Sequence, residues 1–248
     1  MQTKKSKANS AIPQNIKIKS SAELTGIQKI IAQRMTQSKT TIPHLLQNVK
    51  ADTTSLISLK EEIQKKLYST NKVKVTYTDF LLKIIANALR EYLEINSSYD
   101  NQKYIIYDDI NIGLAISVNN GLVVATIYNT DKLGILDIAK KRIELIDKAK
   151  SQKLSLADVK YGTITVTNVG MYGIRSSYAI INPPQAAVLA IAEIYKEPAI
   201  VDEKIIPRSF IEVSLSVDHR IINGALAAQF LHRIAYLIEN PRIIFENI

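Results

Sequence analysis

The feature that most constrains the fold is an apolar periodicity that switches repeatedly between the helical pattern and the strand pattern. In segments 79–93, 135–149 and 223–239, apolar residues recur every three to four positions, as on one face of an amphipathic helix. Other runs are shorter and either alternate between apolar and polar residues or are rich in β-branched ones. Because both patterns mix along one chain, the sequence predicts an α/β fold.

Local signals set the boundaries of the remaining elements. A helix is predicted to begin near Thr25 and to end before Pro43, because proline disfavours helical geometry in the residue that precedes it. Thr53 or Thr54 can cap the helix that follows. Asn119-Asn120-Gly121 lies between two apolar runs and predicts a hairpin turn. The predicted strands are 44–51, 110–118, 122–127, 163–167, 186–194 and 210–217.

The first twenty residues differ from the rest of the chain. Residues 1–20 are polar and lack periodicity, so we expect a flexible tail or linker there and one domain over residues 21–248. The segment lacks the apolar core of a signal peptide, and no apolar run of the chain is long enough to span a membrane. Cysteine is absent, which excludes disulfides and fits a cytoplasmic protein. We therefore expect a cytoplasmic protein without a membrane partner.

The net charge of +9 alone would allow a nucleic acid or another anionic partner. The lysines, however, are spread along the chain, and those within 60–66 and 140–153 are interleaved with acidic residues in helical patterns. This arrangement is typical of a solvated helix face. We expect no nucleic-acid partner, whereas a polyanionic small molecule remains compatible with the charge.

The chain has three histidines, and their positions differ. We expect His232 to lie on the polar side of the last helix and His44, at a strand start, to be structural. His219 follows an apolar strand and precedes a helix, a place from which a side chain can project into a cleft. A neutral imidazole there could accept a proton near neutral pH. The spacing alone equally allows a buried structural histidine between two charges.

Several kinds of active site are excluded by the residues. Without cysteine there is no thiolate nucleophile, and no GxSxG elbow, phosphate-binding glycine loop or HExxH metal motif occurs. We therefore expect no metal. A lone base with hydroxyl groups nearby remains, and such a pair can serve an acyl transfer in which the substrate supplies the nucleophile.

Five segments, in order over about residues 22–248, carry specific motifs. The segment 216–225 resembles the motif DHRxxDG, and 162–173 is similar to GTFTISNLGMFG. The segments 181–186 and 42–44 match INPPQA and IPH, and 112–115 with 121–124 form a hairpin pattern. Together these segments resemble the 2-oxoacid dehydrogenase acyltransferase family. The resemblance implies a chloramphenicol acetyltransferase-like α/β fold, with a mixed sheet and packed helices. It also implies a homotrimer with active sites between subunits, from which larger cages are built.

The implied reaction passes an acyl group between a dihydrolipoyl arm and coenzyme A. By resemblance, His219 is the general base, and coenzyme A is the polyanionic partner. Thr167 stands where the family usually has a serine that stabilises the oxyanion, and Asn223 where it usually has an aspartate that helps to hold the site by ion pairing. Many members have an arginine near the start of the first helix, where this chain has Gln28. These changes favour a neutral polar pair in place of a charged one.

The lipoyl and subunit-binding domains of the usual family protein are not expected within this chain, so the lipoyl group would come from another domain or chain. We expect either a piece of a longer protein or a stand-alone core. The leading hypothesis is an active acyltransferase with other dehydrogenase components as partners. The alternatives are a weakly active structural core and a stand-alone enzyme for another acceptor. The segments 170–173 and 181–185 resemble acetyl-type members of the family more than branched-chain ones, which implies acetyl as the acyl group.

Overall fold

The structure is a computed structural model that describes residues 16–118 and 121–245. The helices of this part of the chain are α1 (Gly26–Thr41), α2 (Thr54–Asn71), α3 (Tyr77–Glu91), α4 (Ile135–Lys150), α5 (Gly224–Glu239) and α6 (Arg242–Phe245). Its strands are β1 (His44–Asp52), β2 (Ser97–Asp100), β3 (Lys103–Ile106), β4 (Ile112–Val118), β5 (Gly121–Ile127), β6 (Ile164–Asn168), β7 (Ala187–Val201) and β8 (Lys204–Asp218). Single 3₁₀ turns occur at Leu93–Ile95, Ala157–Val159 and Gly170–Tyr172.

A mixed six-stranded sheet organises the fold, with the strand order β1-β8-β7-β6-β4-β5. The pairs β4–β6 and β6–β7 are parallel, and the other neighbours are antiparallel. The short strands β2 and β3 form a separate antiparallel pair. The predicted α/β class is therefore confirmed. None of the helices in the described residues combines the length and apolarity needed to cross a bilayer.

The main core lies between one face of the sheet and the helices. Phe80, Ile84 and Leu89 of α3 and Phe230 of α5 are fully buried there. The sheet contributes every second residue to this core, because side chains alternate across a strand. These sheet residues are Ile164, Val166, Leu189, Ile191, Val213, Leu215 and Val217. We call this side the helical face.

The opposite side of the sheet, which we call the far face, carries small and hydroxyl-bearing side chains. Thr165, Thr167, Ala190, Ser214 and Ser216 alternate with the core residues along β6, β7 and β8. Non-helical chain before β7 and the end of α1 cover part of this face. Ile42, Ile181 and Val188 form a small apolar cluster there, and the Ser38 hydroxyl donates a 2.6 Å hydrogen bond to the carbonyl of Ile181.

Most predicted elements occur where the sequence places them. The helix near Thr25 and the helices at 79–93, 135–149 and 223–239 are confirmed as α1, α3, α4 and α5. The strands β4 and β5 pair from Val118 opposite Gly121, as expected for a hairpin, while residues 119 and 120 of the predicted turn lie outside the described residues. Of the predicted tail, residues 1–15 also lie outside the described residues.

Two expectations were wrong in detail. The predicted strand 186–194 ends too early and the predicted strand 210–217 begins too late, because β7 and β8 form a hairpin that turns at Asp202 and Glu203. Pro198 and Pro207, which the interior of a sheet would not tolerate, face each other beyond the end of β1, where the hairpin is only two-stranded. Thr53 is the N-cap residue of α2, yet its side chain makes no capping bond. The Asp52 carboxylate accepts the amide of Thr54 at 2.8 Å instead.

Candidate active site

His219 follows the last residue of β8 and lies in a tight turn. The carbonyl of Asp218 accepts the amides of Ile221 at 3.2 Å and Ile222 at 3.0 Å, which closes the turn. The amide of His219 donates to the carbonyl of Pro43 at 3.0 Å, so the start of β1 supports the turn from one side. Strand β8 thus presents His219 from a rigid base.

The tautomer of His219 follows from its hydrogen bond. The Nδ1 atom lies 3.1 Å from the carbonyl oxygen of Ile222. A carbonyl can only accept, so Nδ1 carries the proton and Nε2 keeps its lone pair. The residue is exposed, and its charged neighbours Asp218 and Arg220 pair with each other. The interpretation of His219 as a buried histidine between two charges is therefore wrong.

Asn223 lies four residues after His219, at the end of the same turn. Its Oδ1 atom accepts the amide of Leu226 at 2.9 Å, which makes Asn223 the N-cap of α5. The structure therefore brings His219 and Asn223 to one turn. Among the described residues, the Asn223 side chain makes this capping bond and no bond to a charged group.

Gln28 does not pair with Asn223 within the chain. Its side-chain oxygen accepts the amide of Thr25 at 2.9 Å, and the hydroxyl of Thr25 accepts the amide of Gln28 at 3.3 Å. The two residues form a capping box at the start of α1. The expected neutral pair between Gln28 and Asn223 is therefore not present in a single chain.

Thr167 is half-buried on β6, far from His219 in the same chain. It lies level with Ala190 of β7, which is level with Ser214 of β8. Asp218 is four residues further along β8, or about 13 Å, and two strand spacings add about 10 Å across the sheet. The separation is thus on the order of 16 Å. A single chain does not bring the two predicted site residues together.

Beyond Thr167, β6 ends beside a cavity of about 300 Å³. The amide nitrogen of the Asn168 side chain donates to the Thr78 hydroxyl at 2.9 Å, and its oxygen accepts the Gly170 amide at 2.9 Å. A β-carbon on Gly170 would lie 2.4 Å from the carbonyl oxygen of Ala192. Asn168 lies within the family-like segment 162–173, but its contact with Thr78 was not predicted, because it joins residues 90 positions apart.

The other two histidines have the roles that the sequence predicts. His44 accepts the amide of Ile181 on Nε2 at 3.1 Å and has Nδ1 2.8 Å from the carbonyl of Ile42. Both ring nitrogens are thus used by the backbone, so His44 is structural. His232 is exposed on α5. Among the described residues, no group of three or more histidine, aspartate or glutamate side chains could hold a metal ion.

The chain is similar to a known family and to several of its members. The family profile described as 2-oxoacid dehydrogenases acyltransferase (catalytic domain) matches residues 17–246. A Rickettsia bellii dihydrolipoyllysine-residue acetyltransferase component of pyruvate dehydrogenase complex is 34% identical over 88% of this chain and 52% of that protein. A Bacillus subtilis lipoamide acyltransferase component of branched-chain alpha-keto acid dehydrogenase complex is 36% identical over 88% and 51%. The chain spans about half the length of these relatives.

Solved structures resemble the whole domain. A probable dihydrolipoamide acetyltransferase from Listeria monocytogenes has a TM-score of 0.86 and 38% identity, covering 89% of this chain and 94% of that one. The Azotobacter vinelandii dihydrolipoamide acetyltransferase has a TM-score of 0.86 and 31% identity, covering 94% and 100%. That structure concerns the catalytic role of a serine, a histidine and an asparagine, the last two four positions apart.

A more distant likeness concerns the fold alone. A chloramphenicol acetyltransferase has a TM-score of 0.52 and 13% identity, covering 83% of this chain and 94% of that one. The expected chloramphenicol acetyltransferase-like fold, with a mixed sheet and packed helices, is therefore confirmed.

Proposed function

Because the chain belongs to the 2-oxoacid dehydrogenase acyltransferase family, with a match to its catalytic domain, we propose that it transfers an acyl group between dihydrolipoamide and coenzyme A. We propose acetyl as the acyl group, which the segments 170–173 and 181–185 favour. The relatives carry names for acetyl and branched-chain complexes at similar identity, so identity alone does not choose between them. We take residues 21–248 as the catalytic domain.

The observation that carries this proposal is the free Nε2 atom of His219. The bond from Nδ1 to the carbonyl of Ile222 holds the imidazole in the tautomer that can accept a proton. The residue is exposed at the end of a strand, so a substrate thiol can reach it. No other histidine of the chain combines exposure with a tautomer fixed by the backbone.

In the proposed reaction, Nε2 of His219 accepts the proton of the coenzyme A thiol. The sulfur then attacks the carbonyl carbon of the acyl thioester on the lipoyl group, and a tetrahedral oxyanion forms. As the carbonyl re-forms, the bond to the dihydrolipoyl sulfur breaks, and His219 returns its proton to that sulfur. The proton and the acyl group have then exchanged places, and His219 is regenerated.

We propose that the hydroxyl of Thr167 donates to the oxyanion from a second copy of the chain. The separation of about 16 Å between Thr167 and the His219 turn rules out a shared role inside one chain. The family resemblance implies that sites form between subunits, which would solve this problem. A homotrimer is therefore the smallest active form in this proposal. Several trimers would assemble into a larger cage, which would bind other dehydrogenase components.

Asn223 does not argue against activity in this proposal. The Azotobacter vinelandii enzyme also has an asparagine four positions after a histidine, and the role of both in its catalytic mechanism has been investigated. In this chain Asn223 caps α5 and so fixes the end of the turn that carries His219. This observation favours an active enzyme over a weakly active structural core.

The proposal is tested by acetyl transfer between acetyl-coenzyme A and free dihydrolipoamide, measured in both directions. We expect His219→Ala to abolish transfer while the circular dichroism spectrum and the oligomeric mass stay unchanged. His232→Ala is the matched control, because it removes an exposed histidine from α5 and should leave the rate unchanged. Transfer at the wild-type rate by His219→Ala would refute the assignment of the base.

The remaining alternatives are separated in the same assay. A panel of other thiols, amines and alcohols as acceptors tests a stand-alone acyltransferase, and branched-chain or succinyl thioesters test the acyl group. A separate lipoyl domain, supplied in place of free dihydrolipoamide, tests whether the lipoyl group comes from another domain or chain. The cytoplasmic location belongs to the same proposal and is tested by cell fractionation.

A further inference from the structure

A charged pair holds the turn that carries His219, and the proposed transfer step does not use it. The Asp218 side chain is 2% exposed. A carboxylate buried to this extent is costly unless it is paired. Arg220 supplies the pair, because its Nε and Nη2 atoms donate to the two carboxylate oxygens at 2.9 Å and 2.6 Å. The backbone amide of Arg220 also donates to the Asp218 carboxylate, at 3.0 Å.

An aromatic ring completes the arrangement. The guanidinium of Arg220 lies over the ring of Tyr99, 4.3 Å from its centroid. Such a contact between a cation and a ring face is attractive. Tyr99 belongs to β2, which is joined to the entry of β7 because the amide of Ala186 donates to the carbonyl of Ser97 at 2.8 Å. The ring therefore approaches the turn from a fixed element.

These contacts act on the same turn that sets the His219 tautomer. The amides of Ile221 and Ile222 donate to the carbonyl of Asp218, so the place of the Ile222 backbone depends on Asp218. The carbonyl of Ile222 in turn fixes Nδ1 of His219. Movement of Asp218 would thus reach the imidazole through two hydrogen bonds. The first joins the Ile222 amide to the Asp218 carbonyl, and the second joins His219 Nδ1 to the Ile222 carbonyl.

We propose that Tyr99, Arg220 and Asp218 form a clamp of positioning residues that holds His219 in its Nδ1-protonated form. The proposal rests on the proposed function for its catalytic consequence, but the clamp itself is a structural property of the free chain. When the ring is removed, Arg220 and Asp218 gain freedom, and the Ile222 carbonyl no longer holds the imidazole in one tautomer.

Arg220 has a second conceivable role, which is to bind a phosphate of coenzyme A directly. The contacts argue against it. Two of the three guanidinium nitrogens already donate to Asp218, and the ring of Tyr99 covers one face of the group. Since the fork geometry that suits a phosphate is occupied by the carboxylate, we infer positioning and not substrate binding.

The test compares Tyr99→Leu with the matched variant Tyr99→Phe in the full chain. Leucine removes the ring face, whereas phenylalanine keeps it and loses only the hydroxyl. Nitrogen-15 NMR of labelled histidine reports the tautomer at a pH where imidazole is neutral, and the three histidines are assigned with His219→Ala and His232→Ala. We expect Tyr99→Leu to convert His219 into a mixture of tautomers and to leave His44 unchanged. Tyr99→Phe should match the wild type.

Kinetics give a second measurement. We expect Tyr99→Leu to lower kcat about tenfold, with an unchanged KM for coenzyme A, because misorientation of a base affects the transfer step. Tyr99→Phe should stay within about twofold of the wild type, because the ring face that attracts the cation remains. Arg220→Lys, which keeps a cation beside Asp218 but loses the fork, should show the same tautomer change as Tyr99→Leu.

Two results would overturn the clamp. One is a Tyr99→Leu protein whose His219 tautomer is that of the wild type. The other is a Tyr99→Leu protein with a higher KM for coenzyme A and an unchanged kcat, which would mean that the Arg220 guanidinium binds substrate. If the wild type transfers no acyl group while the tautomer responds as expected, the clamp stands and the proposed function alone fails.

Discussion

The two faces of the central sheet differ in what their side chains do. On the helical face the sheet presents large apolar residues such as Leu189 and Leu215, which share one core with Phe230 of α5. The far face has small or hydroxyl-bearing residues such as Thr167 and Ser216. Burial of side chains on the helical face stabilises the domain, whereas the far face holds the Thr167 hydroxyl, the proposed oxyanion donor, on a rigid strand. Substitutions should therefore cost stability on one face and activity on the other.

The strongest test of this difference is Phe230→Ala on the helical face. Phe230 is fully buried and packs edge to face with Tyr92 at a centroid distance of 6.1 Å. We expect the substitution to lower the free energy of unfolding by about 3–5 kcal/mol, because it leaves a large cavity. Transfer per folded molecule should stay near the wild-type rate. Urea denaturation gives the stability, and a loss below about 1 kcal/mol would contradict the packing argument.

On the far face, Thr167→Ala should have the opposite profile. We expect the transfer rate to fall about 100- to 1,000-fold, as for other lost oxyanion donors. The free energy of unfolding should change by less than about 1 kcal/mol, since the residue is only half-buried. Thr167→Ser keeps the hydroxyl and serves as the control, with transfer within a few-fold of wild type. Equal rates for the alanine and wild-type proteins would exclude Thr167 from the site.

Ser216→Ala tests whether a second copy of the chain supplies a hydrogen-bond partner to the far face. The hydroxyl oxygen of Ser216 is buried and has no hydrogen-bond partner among the described residues. Removal of an unpaired hydroxyl should leave the free energy of unfolding unchanged or raise it by up to about 1 kcal/mol. Thermal denaturation at several protein concentrations measures this. A clear loss of stability would show that another group pairs with Ser216 in the assembled protein.

The smallest effect is expected at Asn223, which joins the His219 turn to a helix of the core. Asn223→Asp should change the unfolding free energy by less than about 0.5 kcal/mol, because aspartate caps a helix as well as asparagine does. The position is exposed, so an added carboxylate would not be buried. Asn223→Ala is the control and should cost about 1 kcal/mol. A large loss in Asn223→Asp would instead indicate an unpaired charge inside an interface.

The sequence predicted the helical face better than the far face, and the reason is physical. One-sided burial leaves a period of three to four residues in α3, α4 and α5, which a single sequence displays. The end of β7 and the start of β8 were not predicted. They contain Pro198 and Pro207, and proline fits there only because this part of the hairpin is two-stranded. The strands β2 and β3 were missed too, because four residues each carry too little pattern.

For the candidate site, the sequence suggested residues but did not predict how they are arranged. His219 and Thr167 stood out by position and by family resemblance, yet the distance between them depends on the register of three strands. That register brings together residues far apart in the sequence, and local patterns do not encode it. The capping bond of Asn223 was recognisable in principle, because asparagine before a helix is a common N-cap. The clamp around Arg220 was not, since Tyr99 lies 121 positions before it.

The pairing of β1 with β8 has a consequence for how the chain reaches its native state. His44 lies opposite Asp218, so the sheet is completed only when distant parts of the sequence meet. Closing a loop over such a separation costs conformational entropy, and proteins rich in non-local contacts fold slowly. During synthesis, both edges of β1 lack a partner strand until β8 has left the ribosome and pairs with one of them. Unpaired edges invite aggregation. The His219 amide can donate to the carbonyl of Pro43 only when these strands have paired, so the turn of the proposed active site and the pairing of β1 should form in one step.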